Sequence, residues 1–395
     1  MKYALLVIVV LAVGAGAAVL VMMNLPPVGD ANQPPAAPPG GGPIATADWN
    51  VYRGTVGMTG IAAGLLPDAM RIRWRFETGR GVSSSPVIAG GRVFFGAGDG
   101  HVYCVNAETG KQVWAFTLED QVQAPPLHFD GRIYVGADDG FFHCLDAASG
   151  EPVWKFEAED RIVGSANVIA DPNSARPAQI VVGSHDYNVY CFDANSGARA
   201  WTAAADNYIN GGMAVAGSRI VFGSCDSAVH ALTADGADAG KVVTSAFVAV
   251  TPAFDGRLAY AGNYDGEFVC ADMIKRKILW RFKADGPFDA SPAIGADRIL
   301  AGCDNGRLYC LDRASGEKKW EFRTRGEVDA SPVISGRRAV FGSDDGKIYV
   351  VDIPTGKQVW SYDLGEPITT SPAVGAGIVV VGCDDGNVYA FEARK

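Results

Sequence analysis

The 395-residue chain carries 34 Lys and Arg against 44 Asp and Glu, a net charge of −10, with 48% apolar residues. That balance argues against nucleic acid and against anionic lipid headgroups as partners. The length leaves room for one large domain behind an N-terminal leader.

Residues 4–23 form an uncharged apolar run of twenty residues. At about 1.5 Å per residue such a helix would span a bilayer core. Lys2 is the only basic residue before Arg53, so the positive-inside rule puts the N-terminus in the cytoplasm and the rest outside. Ala15-Gly16-Ala17 could serve as a cleavage site, but the apolar run continues to Met23, which favours an uncleaved signal anchor over residues 1–23. Residues 24–47 are Pro, Gly and Ala with almost no charge. Such a stretch buries no core and reads as an extended tether. The remainder, 48–395, is expected to fold as one body held outside the inner membrane.

From about residue 70 a block near forty residues recurs eight times. Its start falls at Pro86, Pro126, Asn167, Met213, Pro252, Pro292, Pro332 and Pro372. One copy, residues 84–118, reads SSPVIAGGRVFFGAGDGHVYCVNAETGKQVWAFTL. Short β-branched and aromatic runs separated by Gly and Asp clusters predict four hairpin-connected strands. Four strands per copy and eight copies predict an all-β, eight-bladed β-propeller. The last copy is expected to contain only its first three strands. The segment 70–78 (MRIRWRFET) has Trp74 twelve residues before Pro86, as Trp114 stands before Pro126. It is therefore expected to supply the missing outer strand and close the ring.

Trp74, Trp114, Trp154, Trp201, Trp280, Trp320 and Trp360 share one slot. A residue repeated once per blade is expected to wedge between neighbouring blades, where each buried ring hides about 150–250 Å². The fourth copy lacks it and is expected to be the loosest. Cys104, Cys144, Cys191, Cys270 and Cys310 occupy another slot, and Cys225, Cys303 and Cys383 are assigned to a third. These are expected to be buried free thiols, a blade width apart. The sequence has no CxxC pair, no haem-attachment pattern and no Cys/His quartet for zinc. Acidic turns at Asp99, Asp138-Asp139, Asp186, Asp226, Asp265, Asp304, Asp344-Asp345 and Asp384-Asp385 read as hairpin turns rather than calcium loops.

The stretches CVNAETGKQVW (104–114), CLDAASGEPVW (144–154), CFDANSGARAW (191–201), CLDRASGEKKW (310–320) and VVDIPTGKQVW (350–360) resemble the tryptophan-docking motif of propellers of the pyrroloquinoline-quinone (PQQ) repeat type. The resemblance covers about 325 residues. It implies the same fold, and a lead-in segment around Trp49 and Tyr52-Arg53-Gly54 that packs on the ring. The family includes quinoprotein dehydrogenases and BamB-like propellers of outer-membrane assembly. No cysteine lies in or just after the apolar run, so the lipid-attachment signal of a BamB-like lipoprotein is absent. The vicinal cysteine pair carried by many of the dehydrogenases is absent too, and those enzymes are generally longer.

Function is sought where the copies differ. One ring of residues near the inner-strand starts reads Ser83, Gln123, Gly164, Asn210, Ala249, Asp289, Asp329 and Thr369. The apolar ring before it is Val82, Val122, Val163, Ile209, Val248, Phe288, Val328 and Ile368, which reads as core. Alternation turns the variable ring toward the axis. Asp289, Asp329, Glu327 and Glu366 are expected on one side of a channel mouth, and Arg80, Arg161, Asn207, Tyr208 and Asn210 on the other. The expected role is a non-enzymatic, monomeric, membrane-tethered scaffold for an envelope protein, with no cofactor. A ligand-sensing ectodomain is the alternative, and a PQQ- and calcium-dependent dehydrogenase using Asp289 and Asp329 ranks below it.

Overall fold

The computed structural model describes residues 44, 46–170 and 177–394. The expected anchor and nearly all of the tether lie outside them, as does the six-residue excess of the third copy at 171–176. Among the described residues no helix is long and apolar enough to cross a membrane.

Eight sheets follow one another along the chain, each built on four consecutive antiparallel strands except the last, and that of blade 7 gains a fifth from the lead-in. Blade 1 comprises Val87–Ala89, Arg92–Gly96, His101–Asn106 and Gln112–Thr117. The second and third strands of each blade are buried on both faces, whereas the outer strands alternate between exposed and covered. That pattern follows from stacking the sheets face to face. Neighbouring inner strands touch, and the inner strand of blade 8 meets that of blade 1. The ring is closed by Met70–Glu77, which pairs antiparallel with Asn387–Ala393 as the outer strand of blade 8.

The tryptophans hold the seams. Trp74 Nε1 donates to the Ala107 carbonyl of the next blade at 2.9 Å, and Trp114 to Ala147 at 3.1 Å. Trp154, Trp201, Trp280 and Trp320 repeat the bond 33 to 40 residues on. Beneath the Trp74 ring lies Gly110, with φ +68°; a Cβ there would sit 2.7 Å from the indole. Across the strand pair each of the five first-slot cysteines faces its own blade's tryptophan, as Cys104 faces Trp114. All eight thiols are free, and all but Cys225 are buried.

Two assignments from the sequence are off by one residue. In the third copy Ile162, not Val163, is the fully buried residue, and its amide bonds the Ala137 carbonyl as that of Val122 bonds Ala97. Val163 therefore takes the ring position given to Gly164, and Asn167 begins the inner strand rather than preceding it. The extra residues before the second strand displaced the alignment. Cys225 likewise does not share a slot with Cys303 and Cys383. Ser224 pairs with Ala228 where Cys303 pairs with Arg307 and Cys383 with Asn387, so Cys225 lies one position later, in the turn.

The lead-in binds the C-terminal ends of the inner strands all around the ring. Trp49 exchanges two backbone bonds with Ile88 of blade 1, and Asn50 accepts from His128 of blade 2. Val56 accepts from Asn167 and Val215, Gly57 from Phe254, Thr59 from Ile294 and Gly60 from Ile334. Ile61–Ala62 then adds a short parallel strand to blade 7, and Ala47 meets Ala376 of blade 8. One segment thus touches all eight blades and covers one end of the channel.

Candidate functional site at the open channel mouth

Arg53 plugs the covered end. It is 1% exposed, and its guanidinium donates to the carbonyls of Ser331 at 3.0 Å, Pro292 at 3.1 Å and Pro332. Burial lowers its pKa to about 10, so it stays charged at neutral pH. Gly60, φ +68°, gives it room, because a Cβ there would lie 2.1 Å from the guanidinium. Around it a chain of amide-to-hydroxyl bonds links consecutive blades: Gly212 to Thr251, Thr251 to Ser291, Ser291 to Ser331, Ser331 to Ser371 and Ser371 to Ser85. The chain breaks where Pro125 has no N–H to give, and the Ser165 hydroxyl is left without a partner.

The other end of the channel, at the N-terminal ends of the inner strands, carries the variable residues. A bond repeated in all eight blades builds it. A residue in the turn after the second strand donates its amide to the loop that enters the same blade, as Asp304 does to Pro287 and Asp344 to Glu327. The residues so placed are Gly98, Asp138, His185, Cys225, Tyr264, Asp304, Asp344 and Asp384. The acidic turns therefore divide into two sets. Asp99, Asp186, Asp345 and Asp385 are turn residues whose carboxylates accept a tyrosine hydroxyl four residues on. Asp138, Asp304, Asp344 and Asp384 stand at the mouth.

On blades 6 to 8 the mouth is acidic. One oxygen from each of Asp304, Glu327 and Asp329 lies within 4.8 Å of the others, a donor set of the hard oxygen type that suits a divalent cation. The Oδ1 atoms of Asp304, Asp329 and Asp344 are buried without a hydrogen-bond partner. Burial and mutual repulsion raise these carboxyls. Asp329 goes to about 8, through burial first and then Asp344, Asp304, Glu327 and Asp289. Asp304 goes to about 6, through burial and then Asp289 and Glu327. Asp289 is raised by burial and by Glu327, against a lowering bond from Tyr264. Asp384 is raised by burial and by Glu366.

On blades 3 and 4 the mouth is aromatic and carries one arginine, Arg161. Arg161 Nε donates to His185 Nδ1 at 3.0 Å. Tyr208 packs against His185 and Tyr187, with ring centroids 5.1 Å apart in both pairs. The Asn210 carboxamide oxygen is buried there without a partner. Asn207 instead ties the loop to the turn, donating to the Cys225 carbonyl at 3.1 Å. The nine residues singled out from the sequence thus fall into separate groups: Asp289, Glu327 and Asp329 together; Arg161, Tyr208 and Asn210 gathered at His185; Glu366 beside Asp384; and Arg80 exposed on the loop before blade 1. Sequence reasoning missed Asp138, His185, Cys225, Tyr264, Asp304, Asp344 and Asp384 as mouth residues. The signal was present, since their slot varies between copies as the first ring does.

A raised carboxyl pKa has a definite consequence for stability. The contribution of such a group is full below the ordinary carboxylate pKa and lost as pH rises through the folded-state value. The domain should therefore lose stability between pH 5 and pH 9, through about 6 for Asp304 and about 8 for Asp329. Asp329→Asn should flatten that slope and raise the Tm at pH 8 by about 1–2 °C, the equivalent of roughly 1 kcal/mol in a domain of this size. Thermal melts of the two proteins across that range check it, and parallel pH profiles would refute it.

The family model described as outer membrane protein assembly factor BamB matches residues 61–186, 185–287 and 272–395. No curated protein matches the chain. Among solved structures the chain is similar to BamB from Moraxella catarrhalis, with TM-score 0.68 and 19% identity over 82% of this chain and 98% of that one. It is also similar to a europium-containing methanol dehydrogenase, with TM-score 0.70 and 14% identity over 88% and 98%. The quinohemoprotein alcohol dehydrogenase of Comamonas testosteroni gives TM-score 0.71 and 15% identity over 88% and 81%. At these identities the likeness is one of fold.

Proposed function

The chain belongs to the family described as outer membrane protein assembly factor BamB, and from that premise we propose that it is a non-enzymatic scaffold whose open mouth docks an envelope protein. The observation that carries this reading is the asymmetry of the channel. One end is covered by the lead-in and plugged by Arg53. The other presents an acidic arc on blades 6 to 8 facing an aromatic arc with a single arginine, Arg161, on blades 3 and 4. A surface split by charge fixes the orientation of a partner as well as attracting it.

Placement outside the cytoplasm rests on residues 1–23 as an anchor and 24–47 as a tether. Alkaline washing of membranes should leave the full-length protein in the pellet. Release of a chain beginning after Ala17 would replace the anchor by a cleaved leader.

The mouth suits a scaffold better than a quinone enzyme. PQQ is a tricarboxylate, and five raised or crowded carboxyls, Asp289, Asp304, Asp329, Asp344 and Asp384, line one side of the mouth. The donor set would suit the calcium of such an enzyme, but toward the carboxylates of PQQ itself it presents like charge. Addition of PQQ and calcium with alcohol substrates should give no dye reduction above background; turnover would reinstate the dehydrogenase reading. The docking claim itself is tested by co-purification from native membranes. The protein should retain one envelope protein that Glu327→Lys/Asp329→Lys loses, and equal recovery by both would refute it.

A further inference from the structure

The seam between blades 4 and 5 departs from the others in both of its residues. The tryptophan slot of blade 4 holds Gly240, which pairs with Ala231 where Trp114 pairs with Cys104. Opposite it, the position that is glycine beneath six other indoles is Arg276, with φ +51°. The Arg276 side chain lies over Gly240, whose Cβ, if present, would be 2.4 Å from its Nε. The large and small residues have exchanged sides, and the large one is now a cation.

Beside this exchange runs a cleft of 620 Å³, lined by residues 241–243 of the outer strand Asp238–Val243 and by residues 276–281 around the outer strand Lys277–Lys283. Both strands end their sheets, so each presents an unpaired edge of backbone amides and carbonyls. Three large apolar side chains stand exposed here: Val243 at 62%, Ile274 at 52% and Leu279 at 45%.

The charge is positive on a protein of net charge −10. Lys275, Arg276 and Lys277 are exposed and consecutive, and among the described residues none of them has an ion-pair partner. Lys241 is paired with Asp206 and Asp226, and Arg281 with Glu267. Asp238, the carboxylate of the blade 4 strand, is engaged by the Gly240 amide. The comparable cleft between blades 1 and 2, of 430 Å³, carries Glu119 and Asp139 instead, with its one lysine, Lys155, over the Phe141 ring.

We propose that this seam docks an acidic, extended segment of a partner protein, which adds along an outer-strand edge with apolar side chains against Val243 and Leu279 and carboxylates toward Lys275, Arg276 and Lys277. Strand addition supplies backbone bonds that any sequence can make, and the side chains supply the selection. The surface shares no residue with the mouth, so it stands or falls apart from the docking proposed there.

The test uses rhodamine-labelled peptides (Glu-Val)6 and (Lys-Val)6 and fluorescence polarisation. The acidic peptide should bind the full chain and weaken as salt is raised. Binding should be about tenfold or more weaker on Lys275→Glu/Lys277→Glu, and weaker also on Val243→Asp/Leu279→Asp, both variants melting as the parent does. The basic peptide should not bind. Equal affinity for parent and charge-reversed protein, binding of both peptides alike, or no binding of the acidic peptide at about 1 mM would each overturn the proposal.

Discussion

Removal of residues 70–79 should abolish the cooperative unfolding of the propeller. These residues supply the outer strand of blade 8, paired from Met70 to Glu77 with the last strand of the chain. They also carry Trp74, 7% exposed, which spans the seam to Ala107 and covers Gly110 of blade 1. A ring is stable because every blade has two neighbours; opening it exposes two blade faces at once. Deletion also shortens the connection to the lead-in, so a second variant isolates the seam. Trp74→Ala keeps the chain length and should cost about 3–5 kcal/mol, the usual range for truncating a buried indole. Scanning calorimetry reads both. A deletion variant that melts like the parent would refute closure by this strand.

Arg53→Ala should be the most damaging single change in the lead-in, although among the described residues no ion-pair partner reaches it. The guanidinium satisfies three buried carbonyls on blades 6 and 7. Each acceptor left without a donor in a dry site costs about 1–3 kcal/mol. Water reaching the vacated space will offset part of that, so a net loss of about 2–4 kcal/mol is expected, or a Tm lower by about 3–6 °C. Arg53→Met, which refills the volume without the donors, should do no better. Arg53→Lys should recover part of the loss, because an ammonium keeps the charge but not the planar fork. Wild-type melting of Arg53→Ala would mean that the lead-in is held by its backbone bonds alone.

The fold was legible because its determinants repeat. Alternation, turn glycines and the tryptophan slot recur in nearly every copy, so an error in one is outvoted by seven. Where a copy departs, that protection fails. The third copy slipped by one residue because its extra residues fall between the inner strand and the second strand, and Asn167 was aligned with prolines it does not match. Cys225 was misplaced for a related reason, since cysteine sits in neighbouring slots of different blades. The mouth was half legible. Asp289, Glu327 and Asp329 were placed together by spacing alone, because spacing fixes blade and height in a regular ring. Asp304, Asp344 and Asp384 were read as turn formers, the commoner role of Asp before Gly. Only the amide bonds to the entering loops separate them from Asp99, Asp186, Asp345 and Asp385, which do play that role. The lead-in around Trp49 and Tyr52-Arg53-Gly54 was expected to pack on the ring, but the plug made by the Arg53 side chain was not legible. A lone Arg-Gly in a loop gives no hint that its side chain will meet carbonyls about 240 to 280 residues away.

Photo-cross-linking in native membranes tests the docking mouth most directly. A photoreactive residue is placed at Tyr208 or Glu327, both exposed at the mouth, and for comparison at Val113 on the outer strand of blade 1, 44% exposed. The mouth positions should capture one and the same envelope protein, and Val113 should not. Capture from Val113 alone, or different proteins from Tyr208 and Glu327, would contradict a single partner seated across the two arcs.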